Sequence, residues 1–199
     1  MNKNSQNWAL LGTVIFTLAA LVAPLYSTIE YDWVSQATGE LAGRQNMNSW
    51  IMRAGLVGLG FCFFIDALQD KKGLKRDWPF ALFGLAMIGA GIYRRTSVEA
   101  GVFIEEPLAN GHGWFFIAST LFLLLGLVMH ILLGACKKQK IAALATVIAL
   151  VSCTYAAFTI PEFVGVFDRI AYCAVFIWVL VNPRVPYGNG LDHFTVSQH

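Results

Sequence analysis

Six stretches of the chain are nearly uninterrupted runs of apolar residues, and polar segments separate them. The runs cover 8–26, 49–68, 78–93, 113–135, 141–160 and 165–181. A helix needs about 20 residues to cross the hydrocarbon core, so each run predicts a transmembrane helix. The third and sixth runs are at the short end, and Trp78, Tyr93 and Trp178 can anchor them at the interfaces. The fourth is the strongest, apolar apart from Ser119, Thr120 and His130. Lys3 precedes the first run, as in a signal peptide. Its apolar core is long for that role, however, and Pro24 follows the only suitable small residue, Ala23. The expectation is therefore an uncleaved helix.

The predicted fold class is all-α, a polytopic membrane helix bundle. It has six transmembrane helices within residues 1–183, and a flexible cytoplasmic tail over 184–199. Lys and Arg set the orientation. With the N-terminus cytoplasmic, the inner segments hold Lys3, Lys71, Lys72, Lys75, Arg76, Lys137, Lys138, Lys140 and Arg184, and the outer loops hold only Arg44, Arg94 and Arg95. Both termini are then expected in the cytoplasm, and the protein in the inner (plasma) membrane. The two long loops, 27–48 and 94–110, face outward.

Composition agrees with this layout. Hydrophobic residues are 57% of the 199 and charged ones 13%, against about 45–50% and about 25% in soluble domains. The net charge of +2 argues neither for nor against nucleic acid, and the lack of an aromatic-interleaved basic cluster points away from it. Membrane lipids are the expected partners, and a homo-oligomer or a membrane-protein partner is compatible. None of the four cysteines lies in the outer loops, and no CxxC or Cys/His spacing suits zinc. No disulfide, metal or cofactor is expected. The fifth run is rich in small residues, Ala142, Ala143, Ala145, Ala149, Ser152, Ala156 and Ala157, which let helices approach closely, so it is expected inside the bundle. No internal repeat matches the inverted-repeat transporter plan.

Candidate chemistry gathers at the outer helix ends. Residues 27–53 carry Glu30, Asp32, Glu40 and Arg44 among Tyr31, Trp33 and Trp50, and Arg53 follows inside the second run. Arg94 and Arg95 end the third run, His112 opens the fourth, and Asp168 and Arg169 open the sixth. An arginine at membrane depth is costly unless it snorkels or is paired. Carboxylates, Glu40, Glu105, Glu106 and Asp168, are the expected partners of Arg53 and Arg169. One reading is a structural network tying loops to helix ends. The other is a site for an anionic group such as a lipid phosphate, with Arg53, Arg169, Arg94, Glu40 and His112 as ligand-binding residues. A lipid-modifying enzyme would use His112 with Glu40 or Asp168 as acid and base. No GxSxG or SxxK surrounds Ser35, which argues against a serine hydrolase. A transporter or complex subunit is a third class, weakened by the lack of charge at mid-span. At the inner ends, Asp66 and Asp70 can pair with Lys71 and Lys72, and His130 suits a helix C-terminus.

Three short motifs carry a family resemblance. Trp33-Val34-Ser35-Gln36 is followed by Gly39-Glu40-Leu41 between the first two runs. His112-Gly113 opens the fourth. Asp168-Arg169-Ile170 with Trp178 marks the sixth. The chain resembles the DUF998 group of small prokaryotic membrane proteins over about 8–181. The group's usual Glu before Arg is Asp168 here. The resemblance implies a six-helix bundle with a polar outer face and implies no activity. A more distant likeness, of layout alone, is to the Frag1/DRAM-type six-helix membrane proteins.

Overall fold

The structure is a computed structural model that describes residues 7–27, 30–43, 46–69, 74–93, 111–133 and 136–182, with the side chains of 74–76 left aside. The tail over 184–199 lies outside the described residues. The helices are α1 Trp8–Val22, α2 Trp50–Gln69, α3 Leu74–Ile92, α4 Gly111–Leu133, α5 Lys137–Thr159 and α6 Val164–Val181. Short 3-10 turns cover Ala23–Tyr26, Thr38–Ala42 and Pro161–Phe163. All regular structure among the described residues is helical. Five segments are long and apolar enough to cross a bilayer, and α3 has a shorter apolar stretch, Asp77–Ile92. These are the helices of a multi-pass membrane protein.

Local chemistry sets the helix ends. The Asn7 side chain accepts the Leu10 N–H at 3.0 Å, and Asp66 of α2 accepts the Trp8 N–H at 3.1 Å. These meet two of the donors that the start of α1 leaves without a partner. Pro24, with no N–H, sits where α1 tightens into its 3-10 turn. α5 begins at Lys137, four residues before the apolar run, because Lys and Gln are good helix formers and hydropathy marks only the lipid-facing part.

α2 is the central helix. Gly60 and Gly84 bring α2 and α3 together backbone to backbone: a Cβ on Gly60 would lie 2.4 Å from the Gly84 carbonyl oxygen. α1 packs on the other side of α2, and α4 packs on α3. Phe16, Met52, Leu56, Leu59, Phe63, Phe83 and Met87 fill the core between them. α5 and α6 form a hairpin at the edge. The expected interior position of the fifth helix is corrected here. Tyr155 and Phe158 of α5 are 71% and 83% exposed, and its buried positions are Ala143, Thr146, Leu150 and Cys153. Small residues permit close approach but do not demand neighbours on every side. The closest backbone approaches between helices are made by glycines such as Gly60 and Gly84, on α2 and α3.

The bundle has two polar ends. One, the clasp face, carries residues 30–43, the ends of α3 and α5, and the starts of α4 and α6. At the opposite face, His130 Nε2 lies 3.1 Å from Asp77 Oδ1, and Trp178 of α6 stacks on Phe80 of α3 with ring centroids 5.2 Å apart. That stack closes α6 against α3 and α4 at the opposite end only.

Candidate functional site

The C-terminus of α3 leaves carbonyls with no intrahelical donor, and within a membrane water cannot meet them. Side chains from two other helices do. Arg53 of α2 donates through Nε to the Gly91 carbonyl and through Nη2 to that of Ile92, both at 2.8 Å. His112 of α4 is buried, with Nδ1 2.7 Å from the Ala90 carbonyl and 3.2 Å from that of Tyr93. A carbonyl only accepts, so Nδ1 carries a proton. The Gly89 carbonyl takes the Tyr93 N–H at 3.0 Å. Arg53 also places a positive charge where the helix dipole favours one.

Around the N-terminus of α6, residues 30–43 form a clasp. The Gly165 N–H donates to the Val34 carbonyl at 2.9 Å, and the Thr38 N–H donates to Asp168 Oδ2 at 2.8 Å. Arg169 donates through Nη1 to the carbonyls of Trp33 and Gly165, both at 2.6 Å, and through Nη2 to the Tyr31 hydroxyl at 2.7 Å. Its guanidinium lies 4.7 Å from the Trp33 ring centre, within cation–π range. The Tyr31 hydroxyl in turn donates to the Gln36 carbonyl at 3.0 Å. Burial pushes the Tyr31 phenol above its ordinary 10.0, with Arg169 pulling the other way, so the neutral phenol meets the guanidinium. Gly165 has to be glycine: a Cβ there would lie 2.5 Å from the carbonyl oxygens of both Trp33 and Gln36. Within the loop, Asp32 accepts the Val34 N–H and the Ser35 hydroxyl, which hold its carboxyl below the usual range. Glu40 accepts the Ala37 N–H at 3.3 Å.

Beneath the clasp, α6 stands away from α4, and a cavity of about 290 Å³ lies between them, closed at the back by α2 and α3 and at the side by α5. Its walls are aromatic and aliphatic, with Phe63, Phe83, Met87, Phe116, Leu123 and Phe176 among them. The hydroxyls of Ser119, Thr120 and Thr154 also line it, but each bonds a carbonyl of its own helix. Asp168 lines its clasp end. One turn further in is Tyr172, whose buried hydroxyl has no hydrogen-bond partner among the described residues.

The expected site residues therefore fall into two groups. Arg53 and His112 meet at the end of α3. Arg169, Asp168 and Glu40 belong to the clasp. Of these five, Asp168 is the one in the cavity wall; Arg94 lies outside the described residues, with Arg44, Arg95, Glu105 and Glu106. Arg169 departs from the expected carboxylate pairing, because an arginine needs acceptors rather than charges, and two carbonyls and a phenol supply them. Tyr172, Gly165 and Thr38 carry no sequence signal that separates them from packing residues. The one trace is that Gly165 and Arg169 are one helical turn apart, near the start of the last run.

Groups of His, Cys, Asp and Glu able to hold a metal are absent among the described residues. No curated protein and no solved structure shows significant similarity to the chain. Residues 10–182 match the family described as "Protein of unknown function (DUF998)". That match takes in all six helices but for the first residues of α1, together with the clasp, the α3 cap and the cavity, and by it the chain belongs to the DUF998 family.

Proposed function

We propose that this protein is a lipid-binding membrane protein that holds an apolar chain in the cavity and presents the headgroup to the clasp face. The cavity carries this reading. Its volume, about 290 Å³, is near the ~300 Å³ lower end of small-molecule sites. Its lining is mostly apolar, apart from Asp168 at the clasp end and the hydroxyls of Ser119, Thr120 and Thr154, each bonded to its own helix. Among proteins in a bilayer, the compounds that reach such a site at high concentration are lipids. The polar layer above it supports the same reading, since Asp168 belongs to both the clasp and the cavity wall. With the orientation expected from the basic residues, the headgroup end faces away from the cytoplasm. An anionic headgroup, the class expected from the arginines, would meet Arg169 only outside the cavity.

Native mass spectrometry of the protein released from mild detergent tests the proposal. Wild type is expected to retain one lipid. Ala157→Phe, which places a ring in the cavity from α5, is expected to lose it while the unfolding temperature holds. Equal retention by both would overturn the reading.

A further inference from the structure

The stripe of α5 that lines the cavity changes character along its length. Leu150 and Cys153 are buried, Ala157 is half-buried, and Thr154 and Phe158 are exposed, Phe158 to 83%. On α4 the lining passes from buried Leu123 and Ser119 to half-buried Phe116 towards the same end. A residue that lines a cavity and is itself mostly exposed lies at the cavity's mouth. α5 therefore closes the side of the cavity only as far as Cys153. Beyond it, the cavity opens between α4 and α5.

The position of this mouth says what it opens to. Thr154 and Phe158 lie in the last two turns of a 23-residue helix, within about 8 Å of its clasp end at 1.5 Å per residue. Half of the hydrocarbon core is about 15 Å, so this depth falls in the leaflet on the clasp side. The surface flanking the mouth is apolar: Ile117 and Leu121 of α4 and Val151 and Tyr155 of α5 are all more than half exposed. The two hydroxyls at the rim need no water. That of Thr154 donates to the Leu150 carbonyl at 2.8 Å, and that of Thr120 to the Phe116 carbonyl at 3.1 Å.

We propose that the cavity is filled sideways from the clasp-side leaflet, by one acyl chain of a bilayer lipid passing between Phe116 and Phe158. This rests on the lipid-binding reading above and adds the source and the route. The headgroup stays at the interface throughout, so no charge has to cross the apolar rim.

The test is photo-crosslinking in liposomes that contain phosphatidylcholine with a diazirine in mid-chain, with the labelled residues mapped by mass spectrometry. Phe83 and Met87 line the cavity and are buried, so a chain reaches them only from within. Leu121 faces lipid and reports ordinary contact. Wild type is expected to be labelled at all three. Thr154→Trp, which narrows the mouth, is expected to lose the labels at Phe83 and Met87 and to keep the one at Leu121. Ile148→Trp, the same ring on the exposed face of α5 away from the mouth, is expected to lose none. Phe158→Ala, which widens the mouth, is expected to raise labelling at Phe83 and Met87, and it decides the matter if Thr154→Trp melts below wild type. If the two labels survive Thr154→Trp in a folded protein but not Ala157→Phe, or if Phe158→Ala lowers them, the lateral route falls and the lipid-chain reading stands. If wild type is labelled at Leu121 alone, the lipid-chain reading itself falls.

Discussion

α2 and α3 touch through Gly60 and Gly84 with no side chain between them, whereas the clasp-face half of α6 faces α4 across open volume. Both contacts lie within one bundle and one solvent. In lipid, apolar burial does not by itself drive helices together, and association depends on close packing and hydrogen bonds. Backbone contact at Gly60 and Gly84 therefore marks where the bundle holds itself. The gap at α6 marks where its own side chains stop short, and where hydrogen bonds from the clasp replace packing.

Substitutions that enlarge a side chain separate the two regions most sharply. Gly60→Leu is expected to cost about 3 kcal/mol or more, because the new atoms meet backbone and neither helix can yield. Ala157→Phe, a larger addition, is expected to change stability by less than about 1 kcal/mol, since it enters existing space. Thermal unfolding in one detergent compares them, and equal losses would remove the distinction. Next comes the clasp. Gly165→Ala is expected to push residues 33–36 off α6 at about 1–3 kcal/mol, read as faster hydrogen exchange over 30–43 with α2 and α3 unchanged. Arg169→Lys is expected to cost about 1–2 kcal/mol, because a single ammonium cannot span three acceptors or stack as well on Trp33; exchange in 30–43 is again the readout. The smallest effect belongs to Asp32. Its folded carboxyl titrates below its ordinary 3.8, through the Ser35 hydroxyl first and the Val34 N–H second. Its contribution is therefore present above pH 3.8 and lost as pH falls through the lower folded value. Loop exchange, divided by the intrinsic amide rate at each pH, should be flat between pH 7 and 5 and should rise only in stronger acid. Asp32→Asn should abolish that rise.

The apolar runs were enough to place the helices, because a bilayer sets the length of whatever crosses it. Helix ends were less legible where propensity outruns hydropathy, as at Lys137. The side-chain partners were harder still. Counting charges led to a carboxylate for Arg169, which is met instead by Trp33, Gly165 and Tyr31, and it gave no hint that Arg53 and His112 would reach the carbonyls at the end of α3. Every residue has a carbonyl, so no pattern in the chain distinguishes those that will need a donor. The cavity has no period or motif at all. It exists because the residues facing one another across α4 and α6 do not fill the distance between them, and that is a property of the assembled bundle.

The clasp also bears on the order in which the chain takes shape. Thr38 waits for Asp168, 130 positions later, and Tyr31 waits for Arg169, 138 positions later. α1 to α4 pair with near neighbours in sequence and are able to assemble as they emerge. Residues 30–43 cannot take up their α6 partners until the last helix has been inserted. A chain halted before α6 should have its dense half built and its first loop still exposed to protease. Protection of that loop would thus report completion of the whole molecule.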